Sequence, residues 1–242
     1  MKSSNEGREK RAKRKEVLEK KKAVDELLKS ASLNKDHLAS FRPFCRYDRN
    51  GLFLYLESGG GDKLSSSVKQ YIQNLLKVNM EAAFGPEWPM EEKAKRRDMV
   101  SSNAHYIFVR DGVCDSANEE SPLVGFVHFR FTLEEELPVL YVYEIQLESR
   151  VQGKGMGKFL MQLLELIAHK CRMSAVVLTV QKTNTAAMNF YTSKLRYTIS
   201  RISPSKVDPL MGVEKNYEIL CKALNHEAKT ILEVKLLELK LF

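Results

Sequence analysis

The sequence predicts an α/β fold in which helices cover both faces of a mixed β-sheet. Three observations lead to this prediction. Strand-like apolar segments come first along the chain, a strand–helix–strand–helix order follows them, and the 43% apolar and 29% charged composition is that of a globular protein. Consecutive strands favour antiparallel pairing, whereas a strand–helix–strand unit requires a parallel pair. At 242 residues the chain is long enough for one domain with extensions.

The individual elements follow the periodicity of the apolar residues. A first strand is predicted at 52–56 behind a turn at 47–51, and the glycines at 59–61 predict a flexible loop. Further strands are predicted at 106–110, 123–131, 139–147, 175–180 and, as a closing hairpin, 197–202 with 216–221; helices are predicted at 64–84, 90–99, 157–170 and 185–195.

Both ends of the chain extend beyond the predicted domain, which spans residues 40–222. A basic arm is predicted at 1–29, and its residues 1–22 hold ten Lys or Arg against four Glu, or +6 of the formal net charge of +8. The arm favours helix by propensity. Its pattern leaves open a solvated helix, a disordered segment, a nuclear-localisation signal, or contact with nucleic acid or the ribosome. Residues 223–242 predict a helical extension whose leucine stripe favours packing against the body over binding a partner.

Cysteine usage and hydropathy narrow the class of protein. The four cysteines are scattered without a C-x-x-C pair, which argues against a zinc site or a disulfide framework and favours a reducing compartment. No apolar run approaches the ~20 residues of a membrane span. Lys2 stands where a myristoylation motif requires glycine. We therefore expect a soluble intracellular protein that has no membrane partner and no metal.

A glycine-rich basic turn joins the predicted strand at 139–147 to the amphipathic helix at 157–170. Glycines let backbone N–H groups approach a ligand closely, and a helix start presents unpaired N–H groups with a partial positive charge. Together they favour an anionic phosphate. The spacing Gln152-x-x-Gly155-x-Gly157 is neither a P-loop nor a three-glycine dinucleotide fingerprint. It matches the Q/R-x-x-G-x-G/A signature of the GNAT superfamily of N-acetyltransferases.

Longer strings extend the match beyond this turn, and the most specific is Tyr-x-Tyr-Glu-x-Gln-Leu-Glu-Ser at 141–149. The others are Tyr47-Asp48-Arg49-Asn50-Gly51-Leu52, Asn79-Met80, Glu87-Trp88, His128-Phe129-Arg130-Phe131, Leu178-Thr179-Val180, Asn184, Ser203-Pro204-Ser205 and Tyr217-Glu218-Ile219-Leu220. Over residues 41–221 the chain resembles the NatD-type N-alpha-acetyltransferases, which modify the N-termini of histones four and two-A. The resemblance implies the GNAT fold, a mixed, mostly antiparallel sheet whose two central parallel strands splay apart; in this chain those strands would be 139–148 and 175–180. It also implies histone N-terminal peptides as partners, and we expect a location in nucleus and cytoplasm.

The resemblance further implies acetyl-coenzyme A as co-substrate and suggests which residues hold it. Backbone groups of Ile145, Gln146 and Leu147 would bond the acetyl carbonyl and the pantetheine arm. The pyrophosphate cradle would consist of Gln152, Gly153, Lys154, Gly155, Met156, Gly157 and Lys158. Asn184 lies where a side-chain amide contacts the coenzyme in relatives.

Glu144 is the predicted general base, because a carboxylate within an apolar strand is costly to bury unless it is bonded or functional. A structural ion pair is the alternative. By resemblance, Tyr191 is either a general acid near the thioester sulfur or an aromatic residue packed on the sheet. The positions that match the peptide entrance are Phe84, Trp88, Tyr143, Thr179 and Tyr217. Trp88 follows Gly85-Pro86, which would break the preceding helix, and this position suits a loop that closes over the peptide entrance. Packing of Trp88 in the core is the alternative interpretation.

Two residues depart from the family's pattern. Thr132 stands where the family has an Asp that helps to hold the peptide, and Phe84 replaces a tyrosine. The acidic run Glu134–Glu136 would supply charge for a basic peptide unless it is a solvated loop. The sequence therefore predicts an enzyme that acetylates the α-amine of a histone N-terminus. Lysine or another amine as acceptor, and a non-catalytic basic interaction protein, are the alternatives.

Overall fold

The computed structural model describes residues 2–112, 121–212 and 214–233, and within these ranges eight strands form one sheet. The strands are β1 Arg46–Arg49, β2 Leu52–Gly60, β3 His105–Asp111, β4 Leu123–Glu134, β5 Leu137–Leu147, β6 Ala175–Gln181, β7 Thr198–Ile199 and β8 Tyr217–Ala223. Their order is β1-β2-β3-β4-β5-β6-β8-β7, and only β5 and β6 pair in parallel. The predicted fold class is confirmed, including helices on both faces of the sheet.

The helices are α1 Lys2–Leu33, α2 Ser66–Phe84, α3 Trp88–Asp98, α4 Met156–Lys170, α5 Thr185–Asn189, α6 Pro204–Val207 and α7 His226–Leu232. Helix α5 continues into a π-helical turn, Phe190–Lys194. Helix α4 forms because apolar residues recur at helical spacing along one of its faces, where Leu160, Leu163, Leu164 and Ile167 are buried. No helix within the described ranges is long and apolar enough to cross a membrane.

The sheet separates two apolar clusters. Along β4, Val127 and Phe129 face the cluster beneath α1 and α4, whereas Phe126 faces the cluster beneath α2 and α3. This alternation is that of a strand buried on both faces. Helix α7 covers the β6–β8 end of the second face through Ala228 and Leu232.

The first hairpin differs from its prediction. An additional strand, β1, precedes the predicted first strand, and the two are joined by Asn50 and Gly51, whose φ angles are +55° and +72°. Two consecutive positive φ angles make the tight turn that suits a twisted hairpin. The predicted flexible loop at 59–61 is wrong, because Gly59 and Gly60 pair with β3. A Cβ at Gly59 would lie 2.4 Å from the Phe108 ring, so glycine is needed there to pack rather than to flex.

The two ends of the chain are helical where the structure describes them. Helix α1 continues past the predicted arm boundary at residue 29, and its Leu27, Leu28 and Ala31 pack on the core. The predicted packing of the C-terminal extension is confirmed at Leu232, which is fully buried. The rest of that extension, residues 234–242, lies outside the described residues, as does most of the predicted loop at 111–121.

Two buried histidines lie between the end of α1 and the sheet. The rings of His37 and His105 are 4.9 Å apart, and both contact Phe129 and Phe131. Each Nε2 is buried without a hydrogen-bond partner among the described residues. Burial disfavours the charged imidazolium and lowers the pKa of His37 to about 4 and that of His105 to about 3.

These shifts set how stability depends on pH. The unfolded chain binds protons at both histidines near pH 6.5, whereas the folded protein does not. The free energy of unfolding should therefore decrease as the pH falls from about 6.5 towards 4, by up to about 1.4 kcal/mol per pH unit for each histidine. His105→Phe keeps an aromatic ring in an aromatic site and should remove one such contribution. Urea unfolding at several pH values measures the slope, and an unchanged slope in the variant would contradict this account.

Candidate functional site

One additional residue in β5 determines which side chains face α2 and α3. His128 of β4 lies opposite Glu144, and the next residue of β4 lies opposite Val142, so Tyr143 forms a β-bulge. Val142 packs in the cluster beneath α1 and α4. Tyr143 stacks on His128 at 4.9 Å, and Glu144 bonds Lys95 of α3. The bulge therefore turns two consecutive side chains to the same face of the sheet.

The central parallel strands separate at the same point. Their pairing ends with Val142 opposite Leu178, although β5 continues to Leu147 and β6 to Gln181. In the described register, the edge of β5 that faces β6 has no partners from that strand beyond Val142. The predicted coenzyme-binding residues 145–147 lie on this unpaired edge. An extended ligand with amide groups can therefore bond the backbone there.

Side chains tie the end of β5 to α2 and to the turn that follows. Asn79 Nδ2 donates to Gln146 Oε1 at 3.0 Å and to the Leu147 carbonyl at 3.1 Å. Gln152 Nε2 donates to the same carbonyl at 2.8 Å. The side chain of Gln146 thus holds the strand in place, and Gln152 binds the strand end rather than pointing outwards. No role was predicted for Asn79 from the sequence. Its position as a polar residue on the inner face of an amphipathic helix is the feature that could have indicated one.

The Glu144 carboxylate is bonded through both oxygens. Lys95 Nζ donates to Oε1, and Gln146 Nε2 donates to Oε2 at 2.9 Å. Burial opposes the charge on Lys95, but the Glu144 carboxylate outweighs it and raises the pKa of Lys95 above its usual value. The ammonium also lies 5.2 Å from the centroid of the Phe84 ring. Glu144 therefore forms an ion pair inside the candidate site, and Lys95 is a site residue that the sequence analysis missed.

A cavity of about 340 Å³ opens beside this pair, between β5 and the helices α2 and α3. Among the predicted site residues, Tyr143, Glu144 and Thr179 line it. Its ionisable and polar lining is Glu91, Lys95, Asp98, Tyr106, His128, Glu134, Tyr141, Tyr143, Glu144 and Thr179. Four carboxylates thus face one lysine. Burial, assisted by the charge of the neighbouring Glu135, raises the pKa of Glu134 above its usual value.

The predicted phosphate cradle lies at the start of α4. Gly153 and Gly155 have φ angles of +71° and +87°, which glycine adopts without strain. Lys154 and Lys158 are exposed, whereas the Met156 side chain is fully buried and leaves only backbone for a ligand. The cradle therefore offers a helix start, two cations and little steric hindrance to an anion.

The two predicted residues on the next helix have different surroundings. Asn184 Oδ1 accepts a hydrogen bond from the Ala187 N–H at 3.1 Å and caps α5, so this oxygen already has a donor within the protein. Tyr191 is buried in the π-helical turn, with its ring against Phe190 and Tyr197. Burial, and then the charge of Glu144, raises the pKa of Tyr191 well above its usual value. The phenol therefore keeps its proton at neutral pH, as a general acid must.

The predicted entrance residues are not all at the surface. The lid role of Trp88 is wrong: α3 begins at Trp88, and the indole is 3% exposed in the apolar cluster beneath α2 and α3. Phe84 and Tyr217 are half-buried, and neither lines the cavity. Tyr143 is 37% exposed, with the Arg130 guanidinium 4.3 Å from its ring centroid, and Thr179 Oγ1 bonds Tyr141.

Comparison with known proteins identifies a family. The sequence profile described as "Acetyltransferase (GNAT) family" matches residues 72–196, more than half of the chain. Similar solved structures include a GNAT acetyltransferase from Listeria monocytogenes, with 11% identity, 74% of this chain and 99% of that one covered, and a TM-score of 0.48. The PaiA N-acetyltransferase of Thermoplasma acidophilum, solved with coenzyme A, has 15% identity, 69% and 98% coverage and a TM-score of 0.47. NAA60 of Arabidopsis thaliana, solved with a bisubstrate analogue, has 12% identity, 70% and 99% coverage and a TM-score of 0.48.

The Lys95–Glu144 pair predicts a measurable effect on stability. Lys95→Met removes the cation and leaves the Glu144 carboxylate buried without it, so the free energy of unfolding should fall by up to about 3–5 kcal/mol. Adding Glu144→Gln removes the remaining charge and should restore much of the loss. Lys93→Met, at an exposed lysine of the same helix, is the control. Urea unfolding at pH 7 makes the comparison, and equal losses in the two lysine variants would contradict a buried pair.

Proposed function

Because the chain belongs to the GNAT family of acetyltransferases, we propose that it acetylates the α-amine of protein N-termini. The observation that supports this proposal is the position of Glu144. Its carboxylate lines an acidic cavity at the point where β5 and β6 stop pairing. An amine in the cavity can therefore meet a base beside the backbone edge where an acyl group can be held.

The chain's residues fit acetyl-coenzyme A, which supplies an acetyl group activated as a thioester. The unpaired edge of β5 offers backbone groups to the pantetheine amides, and the left-handed glycines at 153 and 155 open the start of α4 to the pyrophosphate. Lys154 and Lys158 add positive charge next to that opening. The Met156 side chain is buried in the core, so it does not occupy the space in which the pyrophosphate would bind.

The proposed chemistry is a direct transfer in which the amine nitrogen attacks the thioester carbonyl and the C–S bond breaks. Glu144 accepts the proton of the attacking amine, directly or through water. The phenolic hydroxyl of Tyr191 donates the proton that the leaving thiolate needs. The incoming ammonium takes the place of Lys95 at the carboxylate. No covalent enzyme intermediate is required.

Proton affinity favours an α-amine over a lysine. An α-amine has a pKa of about 7.7–8.0, so roughly a tenth to a fifth of it is neutral at pH 7. A lysine amine, with a pKa of about 10.4, is neutral in only about four molecules in ten thousand. One carboxylate base is therefore better matched to N-termini, which supports the α-amine as the acceptor.

Acidic side chains in the cavity support a basic peptide as substrate. Asp98 and Glu134 line the cavity, and they supply carboxylates although Thr132 replaces the family's Asp. Glu135 and Glu136 lie in the turn between β4 and β5. With the resemblance to histone N-terminal acetyltransferases, this charge supports histone peptides that begin Ser-Gly-Arg-Gly.

Replacing the base should abolish most turnover without loss of coenzyme binding. Glu144→Gln keeps size and the hydrogen bond to Gln146 but cannot take a proton, so kcat should fall by roughly 10²–10⁴-fold. Glu148→Gln, whose carboxylate pairs with Arg150 at the end of the same strand, is the matched control. Steady-state kinetics and calorimetric titration with coenzyme A measure both quantities. Equal activity of the two variants would remove Glu144 from the mechanism.

Three peptides distinguish the proposed acceptor from its rivals. We expect rapid acetylation of a peptide beginning Ser-Gly-Arg-Gly, and little of the same peptide with a blocked N-terminus or of an internal-lysine peptide. Mass spectrometry locates the acetyl group. Equal acetylation of the free and blocked peptides would indicate a lysine acetyltransferase, and acetylation of none would leave the non-catalytic alternative.

A further inference from the structure

The carbonyl of Lys154, within the phosphate cradle, is held by a turn more than a hundred residues earlier in the chain. Tyr47 Oη donates to this oxygen at 2.6 Å, and Asn50 Nδ2 donates to it at 2.9 Å. The first helical bond of α4 runs from the Phe159 N–H to the Gly155 carbonyl at 3.1 Å. The Lys154 carbonyl thus precedes the helical ladder, and the β1–β2 hairpin supplies the two donors that the helix does not.

The hairpin that supplies these donors is itself firmly placed. Tyr47 is 4% exposed, and its ring packs edge-on against Phe159 of α4 with centroids 5.1 Å apart. Asn50 has φ +55° in the two-residue turn with Gly51, so its side chain projects from a tight loop. The Tyr47 hydroxyl therefore reaches the cradle from a buried, packed ring, and the Asn50 amide reaches it from a tight two-residue turn.

The direction of one peptide group follows from these bonds. In a trans peptide the C=O and the following N–H point in opposite directions. When the Lys154 carbonyl points at the hairpin, the N–H of Gly155 points away from it, towards the open side of the cradle. A Cβ at Gly155 would lie 2.8 Å from Tyr47 Oη, so this close approach also requires glycine.

We infer that Tyr47 and Asn50 are positioning residues for coenzyme binding: they hold the Lys154–Gly155 peptide so that its N–H faces the pyrophosphate. The inference rests on the proposed use of acetyl-coenzyme A. It assigns a function to the Tyr47–Leu52 string, to which no role had been given. The effect should be confined to the phosphate part of the ligand, because the unpaired edge of β5 that receives pantetheine lies outside this contact.

Two substitutions test the inference with little change elsewhere. Asn50→Gly removes the amide donor but keeps a residue that accepts a positive φ. Tyr47→Phe removes only the hydroxyl and keeps the packed ring. Calorimetric titration with coenzyme A should show affinity lower by about 2- to 5-fold for the first and about 3- to 10-fold for the second. Tyr55→Phe, at an exposed tyrosine of the same hairpin, should bind as the unaltered protein does.

A ligand without phosphates separates positioning from general damage. The same variants are assayed for kcat/KM with S-acetylpantetheine, which has the thioester and amides but no pyrophosphate. We expect their kcat/KM with this donor to match that of the unaltered protein, although their coenzyme A affinity is reduced.

Each other outcome has a defined meaning. Unchanged coenzyme A affinity in both variants would overturn the inference while leaving the proposed function intact. An equal loss with S-acetylpantetheine would also overturn it, since a defect that extends beyond the phosphates is structural. Failure of the unaltered protein to bind coenzyme A would refute the proposed function itself.

Discussion

At Tyr143 the pairing of β5 with both of its neighbours changes. The bulge interrupts the antiparallel ladder to β4, and the parallel ladder to β6 ends one residue earlier, at Val142. Without the additional residue, the strict alternation of a strand would turn Glu144 into the apolar cluster beneath α4. With it, the carboxylate faces α2 and α3 beside a gap in the sheet. The cavity, the ion pair and the unpaired edge of β5 all meet at this local break in register.

Charge in the cavity is balanced in a way that suits exchange of one cation for another. Lys95 neutralises Glu144 and Arg130 lies 3.6 Å from the Asp98 carboxylate, while Glu91 and Glu134 add further negative charge to the cavity. A buried carboxylate without a cation is costly, so an incoming ammonium can replace Lys95 without leaving the site uncompensated. The same arrangement disfavours acidic peptides, because their charges would meet four carboxylates. In the proposed mechanism, the preference for a basic peptide and the proton transfer thus depend on the same group of carboxylates.

The proposed phosphate cradle consists of backbone more than of side chains. Gly153 and Gly155 occupy left-handed conformations, and Met156 is directed into the core, so the cradle presents peptide groups and two flanking lysines. Peptide groups bind an anion well only when their direction is fixed in advance. The direction of the Lys154–Gly155 peptide is set by side chains that are distant in sequence, Tyr47 and Asn50 of the β1–β2 hairpin.

The sequence by itself determined the mixed sheet, the amphipathic α4, the glycine turn and the carboxylate at 144. These features follow from the local periodicity of apolar residues and from the spacing of residues within short segments. It could not determine that Trp88 is buried, that Gly59 and Gly60 belong to a strand, or that Tyr143 is bulged. Nor could it join Lys95 to Glu144 or Asn50 to Lys154, which are 49 and 104 positions apart. Such pairs leave no local pattern, because they are selected by strand register and helix packing, which exist only once the whole sheet has assembled.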